Sequence, residues 1–141
     1  MKIVDGNNLI LGRAASNIAK LLLRGEEVSI INAEKMVMSG DLTYLIDKYQ
    51  KRRAMKNKAN PENSPKWPRR PDLFVRRIVR GMLPFDSSRG RAAFKKLRVY
   101  IGTPGEIKEA EHIQFPGTNA EKLNTKSHSI TLLCERLGFR R

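Results

Sequence analysis

Cysteine is nearly absent: Cys134 stands alone in 141 residues, which excludes an intramolecular disulfide and a cysteine-rich zinc site. It lies in an apolar run with Ile130, Leu132, Leu133 and Leu137, the setting of a buried, reduced thiol. Long hydrophobic runs are missing as well, none approaching the roughly 20 residues that cross a bilayer. The first residues, Met1 to Gly6, lack the apolar stretch and small-residue cleavage site of a secretory signal. The expectation is a soluble protein of the reducing cytoplasm, with no membrane partner. No Gly-x-Gly-x-x-Gly or Walker-type phosphate loop occurs, nor the spacing of a helix-turn-helix, zinc finger or basic zipper, so sequence-specific reading of DNA is unsupported. His112 and His128 have no neighbouring Asp or Ser pattern that fixes a triad. Glu106, Glu109 and Glu111 are interrupted by Lys108 and read as a solvated turn. No catalytic residue, metal or cofactor is therefore assigned.

What is present is charge, and it is unevenly placed. The chain holds 28 Lys and Arg against 14 Asp and Glu, a net charge of +14. Between Lys48 and Arg98 there are 17 basic residues and only Glu62, Asp72 and Asp86 to oppose them, so that window holds the whole excess. A neutral body with a strongly cationic middle is the electrostatic footprint of a polyanion binder, because each phosphate contact by Lys or Arg releases condensed counterions. A solvated basic face is the plainer reading of a short charge run, but it accounts poorly for an excess of this size in one segment. The apolar share of 40% fits a modest core supplemented by basic surface. At this length one domain, 1–141, is expected.

Periodicity supplies the scaffold. Ile3 and Val4 ahead of Asp5-Gly6-Asn7-Asn8 read as a strand ending in a turn. Leu11, Ala15, Ile18 and Leu22 recur at helical spacing over 12–24, with Gly25 as a left-handed stop, and Val28 to Asn32 is a β-branched strand. This strand-helix-strand order predicts a parallel crossover. Ser39 is read as the N-cap of a second helix carrying Leu42, Leu45, Ile46 and Tyr49. Residues 56–71, with four prolines, read as an irregular basic loop. Pro71 opens a third helix whose apolar stripe is Phe74, Val75, Ile78, Val79 and Met82, leaving Arg76, Arg77 and Arg80 on the other side. Ser87 or Ser88 caps a fourth helix reaching Leu97, with Arg91, Lys95 and Lys96 outward; Val99-Tyr100-Ile101 follows as a strand. Residues 106–127 show no sustained period, and a short helix from Ile130 to Leu137 stops at Gly138.

The basic window interleaves charge with apolar anchors, so its arginines sit on packed helices as well as on a loop. A rigid arginine presents a planar fork to phosphate oxygens and loses less entropy on binding than one on a loose arm. Trp67, between Pro65-Lys66 and Pro68, either stacks on a base or packs on the prolines.

Several strings carry a resemblance: Leu11-Gly12-Arg13-Ala14-Ala15-Ser16, Asn32-Ala33-Glu34-Lys35, Arg80-Gly81-Met82-Leu83-Pro84, Arg89-Gly90-Arg91-Ala92-Ala93, Leu97-Arg98-Val99-Tyr100 and Gly102-Thr103-Pro104. Their order and spacing resemble the universal large-subunit ribosomal protein L13 family, archaeal type, over nearly the whole chain. The resemblance implies a three-layer α/β/α fold on a small, mostly parallel four-stranded sheet. It also implies contact with the large rRNA and neighbouring ribosomal proteins, as a monomer within the subunit, a role early in subunit assembly, and no enzyme activity. Carried onto matching positions, it nominates Arg13, Arg80, Arg89, Arg91 and Arg98 for RNA binding. Charge and context add Arg52, Arg53, Lys56, Lys58, Arg69 and Arg70, and the helix faces add Arg76, Arg77, Lys95 and Lys96. Phe85-Asp86 departs from the basic residues that often follow this proline in the family. Two alternatives stay open at this point: a free-standing RNA chaperone or regulator, and a nucleotide-using enzyme on the same core.

Overall fold

The structure, a computed structural model, describes residues 1–105 and 111–140. Strand β1 (Lys2–Asp5), helix α1 (Leu11–Leu23) and strand β2 (Val28–Ile31) form the expected crossover, with β1 and β2 parallel in the register Ile3 to Ser29 and Val4 to Ile30. On α1, Leu11, Ala14, Ala15, Ile18, Ala19 and Leu22 are buried, whereas Arg13, Lys20 and Arg24 are exposed. Gly25, at φ +94°, takes the left-handed conformation that ends the helix. All four residues of β2 are buried, so both faces of this central strand are covered, as parallel sheets require.

Strand β3 (Val37–Ser39) precedes helix α2 (Leu42–Ala54), and a long loop then leads to α3 (Pro71–Met82), α4 (Ser88–Lys95) and strand β4 (Leu97–Val99). After them come β5 (Glu111–His112), β6 (Ser127–Ser129) and helix α5 (Ile130–Arg136). The sheet order is β4-β2-β1-β5 with every pairing parallel, while β3 and β6 form a separate antiparallel pair. The α/β class expected from the sequence is the one adopted. Phe74, Val75 and Val79 on α3 share a core with Ile18 and Leu22 of α1, Val28 and Ile30 of β2, and Leu133 and Cys134 of α5. Cys134 is fully buried and its thiol is pushed up to about 12 by desolvation, consistent with an inert packing group.

Four details differ from the sequence reading. The cap of α2 is Asp41, whose carboxylate accepts from the Thr43 and Tyr44 amides at 3.1 and 3.4 Å; Ser39 instead closes β3. A charged acceptor at the positive helix end outcompetes a hydroxyl two residues earlier. The fourth helix stops at Lys95 and the strand begins at Leu97, because pairing of Val28 with Leu97 and Ile30 with Val99 sets the register. Met82, expected on the inward stripe of α3, is 41% exposed. Residues 106–127 are not wholly irregular: β5 and a 3-10 turn at Ala120–Lys122 lie within them. Glu106 and Glu109 lie outside the described residues. Between α2 and α3 the basic segment carries a 3-10 turn at Pro61–Asn63, and Pro71, read as its last residue, opens α3.

Candidate nucleic-acid interface

Helix α3 starts at Pro71, whose fixed φ suits the first helical position, and packs its apolar stripe inward. Arg76, Arg77 and Arg80 fall on the remaining face and are half-buried. Each lies over an aromatic ring. The Arg76 guanidinium stands 4.8 Å from the Phe94 centroid, Arg80 3.9 Å from Phe85, and Arg77 5.4 Å from Trp67. From α2, Arg52 reaches the same Trp67 ring at 4.9 Å and Tyr49 at 5.5 Å.

The rings form two platforms. Tyr49, Trp67 and Phe74 meet at centroid separations of 4.8–6.2 Å, and Phe85 meets Phe94 edge-on at 5.6 Å. Cation–π contacts contribute about 0.5–1 kcal/mol when exposed and about 2 kcal/mol when desolvated. Here they also fix the direction of the guanidinium before any partner arrives. Trp67 therefore packs on Tyr49 and Phe74 and serves as a seat for two arginines. Burial raises the Tyr49 hydroxyl above its ordinary value, partly offset by the nearby Arg52 charge. Phe85, the departure from the family pattern, holds Arg80 in place.

Among the described residues, none of these arginines has a carboxylate partner. Among the described residues three ion pairs form: Lys2 with Glu26, Lys51 with Asp47, and Arg70 with Asp72. Among these pairs the one nominated residue is Arg70, which makes two hydrogen bonds of 3.2 and 2.9 Å to Asp72. The Nε atoms of Arg76 and Arg77 are buried without a hydrogen-bond partner.

Four other nominated residues tie the scaffold, and the rest lie elsewhere on the surface. Arg13 donates to the Gly117 carbonyl at 3.0 Å and Arg53 to Leu137 at 3.0 Å, beside the last turn of α5. Arg89 and Lys96 donate to Leu23 and Gly25, at 3.3 and 2.7 Å, placing positive charge at the negative end of α1. Arg69 lies against Gly138. Lys56 and Lys58 project from the loop, where the Asn57 side chain accepts from the Ala59 and Asn60 amides. Lys95, Lys96 and Arg98 gather around a shallow recess of about 280 Å³ with Glu27 on its rim, and Arg91 is exposed. The nominated set thus separates into an anchored group on α2 and α3, a group beside β4, exposed loop cations and structural ties.

The turn between the platforms is tightly built. Ser87 caps α4 by accepting from the Gly90 amide at 3.1 Å, and a Cβ on Gly90 would stand 1.9 Å from the Pro84 carbonyl oxygen. Only glycine permits that approach. Sequence reasoning passed over Tyr49, Phe85 and Phe94 as arginine seats; the one available signal was that aromatics fall within the basic window.

Residues 1–106 match the profile of the ribosomal protein L13 family. The chain belongs to this family. It is similar to the large ribosomal subunit protein uL13 of Methanocaldococcus jannaschii, 45% identical over 141 residues and covering 98% of each chain. It is also similar to the protein of that name from Methanococcoides burtonii, at 43% over 128 residues, covering 91% of this chain and 90% of the relative. The Aeropyrum pernix protein of the same name is 40% identical over 139 residues, with 98% and 90% covered. The family-motif arginines play different parts here: Arg80 is seated on a ring, Arg13 and Arg89 tie backbone carbonyls, and Arg91 and Arg98 stand exposed.

Proposed function

We propose that this protein is a structural constituent of the large subunit of the cytoplasmic ribosome, binding the large rRNA as a single 1–141 domain and supporting early subunit assembly, without enzymatic activity. Family membership supplies the particle. The observation that carries the RNA contact is the set of arginines held on aromatic platforms and, among the described residues, in no ion pair with a carboxylate. A guanidinium fixed in direction and short of acceptors meets phosphate oxygens with little further loss of entropy. Arg52, Arg76, Arg77 and Arg80 form the primary contact, Lys95 and Arg98 a second one beside β4, and Lys56 and Lys58 an exposed extension on the loop. Neighbouring large-subunit proteins pack against the remaining surface.

Sucrose-gradient sedimentation of a cell extract tests this reading. The chain travels with large subunits at low salt and leaves them at high salt; a chain remaining at the top of the gradient as a free protein overturns the proposal in favour of an RNA regulator acting off the ribosome.

A further inference from the structure

A slot of about 470 Å³ opens between α1, α2 and α3, within the size range of small-molecule sites, about 300–1,000 Å³. Its walls are apolar: Leu11, Met38, Tyr49, Ile78 and Met82, with Trp67 at one side. Its only charged groups are Arg52 and Arg77. Both guanidiniums lie within 5.4 Å of the Trp67 centroid, and neither forms one of the ion pairs among the described residues. Two like charges seated on one ring repel each other until an anion lies between them.

The slot is also lined by Gly12, in the first turn of α1, and Gly81, in the last turn of α3. Neither has a positive φ, and a Cβ at either would meet nothing within 4 Å. Backbone conformation and packing therefore place no requirement for glycine at either position. Neither puts a side chain into the slot. An open apolar cleft with flexible methionines on its wall and cations at its mouth fits a flat heterocycle joined to a phosphate.

We infer that the slot receives one unstacked nucleotide of RNA, its base against the apolar wall and its phosphate on Arg52 and Arg77. The inference rests on the RNA-binding role proposed above and adds a base-sized subsite to it. The walls offer little to read a base edge, so the subsite accepts any base. An acidic peptide shares the phosphate's charge but not the flat heterocycle that the slot accommodates, and RNA is the occupant we argue for.

Trp67 is the sole tryptophan and reports on the slot directly. The full chain is titrated with a single-stranded oligoadenylate and with an abasic ribose-phosphate oligomer of equal length, following Trp67 emission and affinity. The oligoadenylate changes the emission and binds about tenfold more tightly than the abasic oligomer, the worth of one stacked base. Gly81→Leu, or Gly12→Ala as a second variant, removes most of that tenfold difference while leaving the thermal midpoint unchanged or higher. Equal binding of the two oligomers, or oligoadenylate binding by both glycine variants as tight as the unmodified chain's, overturns the slot while the charged interface stands. Failure of both oligomers to bind at low salt overturns the interface reading as well. Glycine variants that bind RNA normally but fail to enter large subunits assign the slot to a neighbouring protein and likewise overturn the inference.

Discussion

Three arginines of helix α3 and three lysines of the loop that precedes it carry the same charge in opposite states. Arg76, Arg77 and Arg80 are half-buried, each over an aromatic ring, whereas Lys56, Lys58 and Lys66 are exposed. Ordering a long cationic side chain costs up to about 2 kcal/mol of rotamer entropy, and on α3 much of that cost is met by folding itself. Equal charges therefore make unequal contributions: the helix arginines supply tight contacts and the loop lysines supply reach and attraction at a distance. Charge counted along the sequence does not separate the two.

Replacing Arg76, Arg77 and Arg80 together by Gln gives the largest effect. Three charge-assisted contacts at about 1.5 kcal/mol each correspond to roughly a thousandfold loss of rRNA affinity. Incorporation into large subunits falls while circular dichroism is unchanged; lost helicity with retained incorporation would make these residues packing groups. Next comes Gly90→Ala, whose methyl drives the Pro84 turn away from α4 and lowers stability by about 3 kcal/mol in urea unfolding. An unaffected midpoint would show that the turn yields freely. The double change Phe85→Leu and Phe94→Leu unseats Arg80 and Arg76 without altering charge, weakening RNA binding by about tenfold. If affinity is unchanged, seating adds nothing to charge. Lys56→Gln with Lys58→Gln gives the smallest change, about threefold to fivefold, read by the same binding assay.

The neutral body has its own check. Burial raises both the Cys134 thiol, to about 12, and the Tyr49 hydroxyl, so the folded state holds protons that the unfolded chain releases. Stability contributed by Cys134 is complete below about pH 8.5, the ordinary thiol value, and declines as pH rises towards the folded value. Urea unfolding between pH 8 and 11 measures the decline, and Cys134→Ala removes the thiol's share of it.

Much of this scaffold was legible because its signals are local. Ile3-Val4, the Leu11 to Leu22 stripe and Val28 to Ile31 each declare their element within a few residues, and Pro71 marks the start of α3. The β3–β6 pair was not legible, since two three-residue strands almost ninety positions apart form only through long-range pairing. The family strings nominated Arg80, but its seat on Phe85, and that of Arg76 on Phe94 18 positions away, depend on the turn that Gly90 allows. Arg13 and Arg53 carry the same charge as the seated arginines, and only folding reveals that they donate to Gly117 and Leu137.

The most direct test is the salt dependence of rRNA affinity for three proteins: the unmodified chain, the Arg76, Arg77 and Arg80 triple variant, and the Lys56 and Lys58 double variant. With roughly six to ten phosphates engaged, raising salt from about 50 to 200 mM weakens the unmodified chain by about a thousandfold or more. The triple variant has a shallower logarithmic slope, by about two to three, and a low affinity at every salt concentration, whereas the loop variant loses slope but little affinity. A flat response of the unmodified chain, or a loop variant that loses more affinity than the helix variant, contradicts the account.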